Sequence, residues 1–440
     1  DLHTYGQMSD EDKARLEGEL RFTRAFMYFD LMKRYKEIIL YDEDMTKYQK
    51  DKAISSEAEG WEFIYQDLLY AANNLPERTA SNGRADKGMA WAFMTRAMLY
   101  AGRYEDVVTA ADEVAKLGYG LESDYTAALM KTTSEGNNEA ILQWQFDRGA
   151  NVTHSYDYYY TPGGDFAIQG QKGGGLGTPT QEMVESYEKA TGGFIDWTPW
   201  HSTTKTNPPY DKLEPRFHAT ILYNGADWKG RTIQPYVGGA DGWKQWYNNT
   251  NPAGETTTGY YLRKMVDEGH DVVANSGGVA PFTIIRYAEV LLNYAEAKEM
   301  LGQLTQADLD KSINLLRDRV GMVHMKLSQL PAGSDIRTEI QRERRIELFF
   351  EGHRYFDIIR WKQGHILGED LLGVNKRWLD QSRLAVDLDK DLTWQTKDGQ
   401  QYLLIETGRT FNPDKHYLLP IPFKQMQLNP NLAPQNPGWN

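Results

Sequence analysis

The sequence predicts a mainly α-helical protein, in which helix pairs of tetratricopeptide type pack against a loop-rich, mixed region with short strands. Three observations predict it. Apolar residues recur at three- and four-residue spacing through the first 145 residues and again from residue 281. Between about 146 and 280, Gly, Pro, Thr, Asn, Tyr and Trp break that periodicity. Two short turns, Gly102-Arg103 and Met300-Leu301-Gly302-Gln303, fall where tetratricopeptide-like hairpins would bend.

In chain order, the first helix is expected from Glu17 to Ile38, with Leu20, Phe22, Phe26, Phe29, Leu31, Met32 and Tyr35 as its apolar positions. A second begins at Ser55-Ser56-Glu57, where serine can cap and glutamate suits the first turn, and runs to Leu75 before Pro76. A pair follows, Lys87 to Ala101 and Tyr104 to Leu117. Small residues (Ala90, Ala97, Ala110) would let its helices approach, while Tyr100 and Tyr104 fill the groove. Residues Ile141–Phe146 alternate like a strand. In the middle region Thr178-Pro179-Thr180-Gln181 announces one short helix, with Thr178 as N-cap and Pro179 as first helical residue. Helix then returns from Pro281 to Leu301, Gln306 to Val320 and Asp335 to Trp361, and the last 75 residues read as loop-rich. The expected organisation is a helical scaffold (1–145), a ligand-binding region (146–280), further helices (281–365) and a terminal segment (366–440), all in one compact unit.

Composition narrows the function. The 440 residues carry 49 basic and 62 acidic side chains, a net charge of −13, with no basic block. Nucleic acid binding requires a basic face that displaces counterions, so it is excluded. There is no cysteine, which removes disulfides, thiolate zinc sites and thiol nucleophiles from this sequence. No apolar run approaches the 18 residues or so of a membrane span. The 12 Trp and 27 Tyr against 15 Phe are unusual, and rings with a polar edge suit amphipathic ligands.

Five segments, in order, resemble the SusD-like (RagB/SusD) family. They are Glu19–Phe29 (ELRFTRAFMYF); the glycines 173–175 with Pro179-Thr180, Tyr187, Pro209-Tyr210, Glu214–Phe217 (EPRF) and Asn224-Gly225; and Ile285–Ala297 (IRYAEVLLNYAEA). The last two are Glu343–Leu348 (ERRIEL) with Glu351–Trp361 (EGHRYFDIIRW), and Tyr417–Pro422 (YLLPIP) with Gln435–Gly438 (QNPG). One departure is local: Lys36–Leu40 replaces the family's usual Gly-Gly-Val-Pro-Leu turn. The other is a further N-terminal segment, with a lipoprotein signal and lipidated cysteine, which the resemblance leads one to expect before the first motif. Part of the family's ligand site comes from that segment.

The resemblance implies a SusD-like fold, a right-handed stack of helix pairs serving as scaffold and partner face, with the irregular half carrying the ligand pocket. It implies a non-catalytic surface protein that captures oligosaccharide. The partner is a SusC-like TonB-dependent transporter, over which the protein acts as a lid, and a lipid anchor holds it at the outside of the bacterial outer membrane. The alternative is an oligopeptide-binding lid of a peptide-importing transporter. A glycoside hydrolase is a third reading, which would need two carboxylates at fixed separation in a pocket. No local sequence picks out such a pair among 62 acids, and HExxH, Gly-x-Ser-x-Gly and phosphate-loop patterns are absent.

The residues themselves point to sugar contact in three aromatic clusters of the middle region. Sugar rings have apolar faces that stack on aromatic rings and hydroxyls that need polar partners. Tyr158 and Tyr159 belong to the first cluster, Asp196, Trp197 and Trp200 to the second, and Trp243, Trp246, Tyr247 and Asn248 to the third. Trp61, Trp91 and Trp361, on amphipathic helices, are assigned to the core. The charged run Arg342–Glu347 with Glu351, Arg354 and Asp357 is read as structural: Glu343/Glu347 and Arg354/Asp357 have helical spacing and would pair along and between helices. Arg286 and Glu289 are read as tertiary ties. No cofactor is expected, although exposed acids could hold a calcium ion.

Overall fold

The structure, a computed structural model, describes residues 6–44, 51–78, 83–167, 173–197, 208–242, 255–379 and 388–439. Its helical part begins with α1 (Asp10–Tyr35), α2 (Glu57–Asn74), α3 (Lys87–Ala101) and α4 (Tyr104–Ala115). Each packs on the next, and α8 (Tyr287–Met300) continues the stack against α3 and α4. Helix α1 starts seven residues before the expected Glu17, because Ser9 caps it and Asp10, Glu11 and Asp12 favour the positive end of the helix dipole. At α2 the expected start is found as a full capping box, Ser56 with Glu59. Gly102, at φ 71°, closes α3 in the left-handed conformation that lets α4 fold back.

The core of this part is aromatic. Phe93 is wholly buried, with Phe22, Phe26 and Phe29 around it at ring-centroid distances of 6.1, 5.1 and 5.2 Å. Trp61 is buried as expected, while Trp91 and Trp361 are half-buried.

Strand β1 (Ala140–Trp144) pairs antiparallel with β2 (Phe282–Arg286). The second strand replaces the start of the helix expected from Pro281. Thr283, Ile284 and Ile285 are β-branched and extend readily, and pairing with β1 decides the matter. The middle region holds α5 (Tyr156–Tyr160), α6 (Gln181–Val184) and α7 (Pro215–Thr220), so it contains more helix than expected. Thr180, not Thr178, is the N-cap of α6; Pro179 lies outside the helix.

The helix expected over 306–320 is two, α9 (Gln306–Asp310) and α10 (Ile313–Arg319), separated at Ser312. Likewise 335–361 divides into α11 (Ile336–Glu347) and α12 (Arg354–Arg360), because Phe350 (φ 61°) and Gly352 (φ 81°) turn the chain. After residue 366 the loops are joined by a three-stranded sheet, with β3 (Leu371–Asn375), β5 (Gln400–Glu406) and β4 (Trp394–Lys397) in that spatial order. Asp398-Gly399, both at positive φ, form its β4–β5 turn.

An ion network ties these parts together. Arg286, at the end of β2, donates to Glu139 and Glu347 at 2.7 Å and to both oxygens of Glu351. Arg216 from α7 reaches Glu343 at 2.5 Å and Glu347 at 3.0 Å, and Arg319 reaches Glu347 at 2.5 Å. Glu289 pairs with Arg96. The structural reading holds for Arg342, Glu343, Arg344, Glu347, Glu351 and Asp357, which all take ion-pair partners, but not for Arg345 or Arg354. Arg354 does not pair with Asp357, which instead meets Arg344 at 2.8 Å and Arg360 at 2.8 Å.

Candidate functional site

Among the described residues, a cleft lies where the middle region meets the turn between α11 and α12. It has a volume of about 630 Å³ and is lined by the loop Leu176–Thr180, Met183, Leu262 and residues of the segment from Arg345 to Tyr355. Local sequence builds each wall.

One wall is the glycine run. Gly174 and Gly175 adopt φ of 74° and 70°, and a Cβ on Gly174 would collide with the carbonyl oxygen of Thr161. Backbone hydrogen bonds then hold the loop: Gly175 N donates to Thr161 O, Leu176 N to Tyr159 O, and Leu262 N to Gly177 O. Gly177 fits between Tyr160 and Leu262, with room for no side chain.

The opposite wall follows from the ion network. Glu351 is drawn into the core by Arg286 and by Lys264 at 2.7 Å. The positive φ of its neighbour Phe350 accommodates that turn, and the Phe350 ring meets Tyr160 edge-on at 5.3 Å. Leu176, Phe350 and Tyr355 line the cleft while remaining 65%, 40% and 45% exposed. Apolar side chains of this size left open around a concavity make the cleft a candidate for ligand contact.

Two cations complete the cleft. Arg345 and Arg354 are half-buried in it, and among the described residues neither guanidinium has a hydrogen bond or an ion pair. Burial lowers the pKa of Arg345 to about 10, and the charge of Arg354 adds to the effect. Burial also lowers that of Arg354, against the opposing field of Asp357.

Tyr158 is half-buried, edge-on to Tyr159 at 5.5 Å and to Phe166 at 5.2 Å. Tyr159 is 49% exposed, and its carbonyl anchors Leu176 at the cleft. Trp197 is half-buried against Tyr210 and Trp378, each at 6.4 Å, and Asp196 beside it is exposed. No ring contact joins the Tyr158–Tyr159 pair to Trp197 among the described residues. Trp200, Trp243, Trp246, Tyr247 and Asn248 lie outside the described residues.

Sequence reasoning missed Phe350, Tyr355 and Trp144. The first two stand in a segment that reads as continuous helix. Trp144 ends β1, is 58% exposed, and overlooks a second cleft of about 530 Å³ with Arg78, Gln143 and Gln145. Strand alternation from buried Ile141 was the available signal for the adjacent positions, but it could not place Trp144 at an opening.

Among the described residues no group of three His, Asp or Glu side chains could hold a metal ion, which leaves the calcium expectation without a site there. Nor is any described helix long and apolar enough to cross a membrane.

Comparison with known proteins gives a consistent picture. The SusD family model matches residues 138–439. A SusD-like protein of Formosa agariphila is 25% identical over 98% of this chain and 75% of its own length. The crystal structure of a SusD-like protein from Bacteroides fragilis superposes with a TM-score of 0.73 at 30% identity, covering 98% of this chain and 81% of that one. A SusD-like carbohydrate binding protein from the same organism gives 0.80 at 25% identity, covering 97% and 82%.

Proposed function

The chain belongs to the SusD family, and from that premise we propose that it captures oligosaccharide and hands it on without cleaving it. The observation that carries this reading is the cleft itself. Leu176, Phe350 and Tyr355 remain open to solvent around a concavity large enough for several sugar units, with guanidinium donors at its wall. A relative of 25% identity, the protein from Bacteroides fragilis, is a carbohydrate binding protein, which supports the same ligand class.

A non-catalytic role is supported by how the carboxylates are used. Glu139, Glu343, Glu347 and Glu351 are all buried or nearly so and committed to arginine or lysine partners. That leaves no pair in this group open to a scissile bond. Family membership supports the finer parts of the proposal: delivery to a SusC-like TonB-dependent transporter, which the protein would cover as a lid, and a lipid anchor at the outer membrane facing out. Among the described residues, one sequence-derived contact is tied to the cleft wall: the carbonyl of Tyr159 accepts from the backbone N–H of Leu176.

Calorimetry against a panel of oligosaccharides and mixed peptides, followed by chromatography of the bound material, tests the proposal. Saccharide binding with chain length unchanged is the expected result. Binding of peptides alone would sink it, and shortened saccharide would replace capture with hydrolysis.

A further inference from the structure

We propose that Arg345 and Arg354 form an anion subsite within the cleft, taking the carboxylate of a uronic acid or the sulfate ester of a captured saccharide. The inference rests on the capture reading above and names the class of saccharide.

The buried arginines of this protein fall into two groups. Arg216, Arg286, Arg317, Arg319, Arg344 and Arg360 are each withdrawn from solvent, and each meets at least one carboxylate. This is the general rule, because a guanidinium taken out of water without a partner costs free energy. Arg345 and Arg354 break the rule together and in the same place. Arg345 follows Arg344 directly on α11; the turn of the helix sends Arg344 inward to Asp357 and Arg345 into the cleft. Arg354 opens α12 from the other side of the Phe350–Gly352 turn.

No nearby acid resolves the pair. Glu182 and Glu369 act on Arg345 through their fields but do not close to ion-pair distance. Glu182 accepts instead from the backbone N–H of Leu372, and burial pushes its pKa up, toward the neutral form. Two like charges thus face one apolar cavity between Met183, Leu262 and Phe349. A planar or tetrahedral oxyanion between two guanidinium forks would supply the missing charge and accept several N–H donors at once. The apolar walls suit the carbon faces of the sugar that carries it.

The test uses the full chain and four defined probes: a galacturonate oligomer, its methyl ester, a sulfated galactan oligomer and the same oligomer after desulfation. Titration calorimetry on the unaltered protein should give at least tenfold tighter binding for one anionic probe than for its neutralised counterpart. Which of the two pairs shows the preference separates carboxylate from sulfate. In Arg345→Gln and in Arg354→Gln that preference should fall toward unity. Both variants should keep or raise the melting temperature, since each removes an unpaired charge, whereas loss of a purely structural arginine would lower it. Equal affinity for charged and neutral probes, or a preference that survives both substitutions, overturns the subsite while the capture reading stands. If none of the four probes binds and neutral saccharides of other composition fail as well, both readings fall together.

Discussion

Nη1 of Arg286 lies 2.7 Å from Oε1 of Glu347, and both side chains are closed to solvent. The pair joins the end of β2 to the end of α11, and Glu347 is shared with Arg216 and Arg319. Removing its charge would take one carboxylate from each of three buried guanidinium groups and leave Arg286 with Glu139 and Glu351, Arg216 with Glu214 and Glu343, and Arg319 with Glu139. Glu347→Gln is therefore expected to destabilise the protein by about 3–5 kcal/mol, the usual cost of breaking a buried ion pair. Urea denaturation at neutral pH measures it; a change within experimental error would mean that the remaining carboxylates suffice for the three arginines.

Acid should loosen the same centre. Burial raises the pKa of Glu351, but Arg286 and Lys264 outweigh it and hold the group at about 2. Burial likewise opposes Arg317 and Arg342 at Glu188, which also ends at about 2. Both folded-state values lie below the ordinary 4.5, so the stabilisation is complete above pH 4.5. It is lost as pH falls from there toward 2. Melting temperature followed from pH 7 to 2 should be level down to about 4.5 and then drop; a level profile to pH 2 would contradict these assignments.

Two of the left-handed glycines, Gly102 and Gly174, should differ in cost. Gly102 has φ 71° and open space around it, so Gly102→Ala is expected to cost about 1 kcal/mol from the backbone alone. At Gly174 the same strain is joined by a collision with the Thr161 carbonyl, which cannot swing aside as a side chain would. Gly174→Ala should cost more than Gly102→Ala in denaturation, and it alone should weaken saccharide binding, because it displaces the cleft wall.

Phe93 anchors the helical scaffold, with rings from α1 on several sides. Phe93→Ala should cost about 3–5 kcal/mol through lost contacts and the cavity left behind. The folded fraction should still bind ligand, since the cleft is built from other elements. Loss of binding in fully folded Phe93→Ala protein would show that the two regions are coupled.

Tyr355 makes the opposite prediction. It is 45% exposed at the cleft and touches Phe356 edge-on at 5.2 Å. Tyr355→Ala should change stability by less than about 0.5 kcal/mol, as exposed substitutions do. Saccharide affinity should fall about tenfold if the ring stacks on a sugar, equivalent to about 1.4 kcal/mol. Unchanged affinity in calorimetry would remove Tyr355 from the contact surface.

What was legible in the sequence was local. The capping box at Ser56 and Glu59, the turn at Gly102 and the helical periodicity of α2 to α4 all rest on interactions within a few residues. Asp398-Gly399 carried a hairpin signal of the same local kind, although the segment around it reads as loop. The strand 282–286 was not legible, because an apolar β-branched run before a helix gives no period, and its partner is 140 residues away. The break at Phe350 was hidden for a similar reason. Nothing in Leu348–Glu351 announces a positive φ, and the turn exists because Glu351 is claimed by Arg286 and Lys264.

The sequence by itself determined the mainly helical class, the family resemblance and the structural character of most of the charged run. These follow from periodicity and ordered motifs, which short-range physics writes into the chain. Only the tertiary structure decided how the charges divide. Arg344 and Arg345 are neighbours with the same chemistry, yet one is buried on Asp357 and the other faces an apolar cleft beside Arg354. A single residue step on a helix rotates a side chain by about 100°, and which side meets carboxylates depends on segments far away in sequence. That rotation, which no local pattern reports, separates the arginines that hold the fold from the two that are open to a ligand.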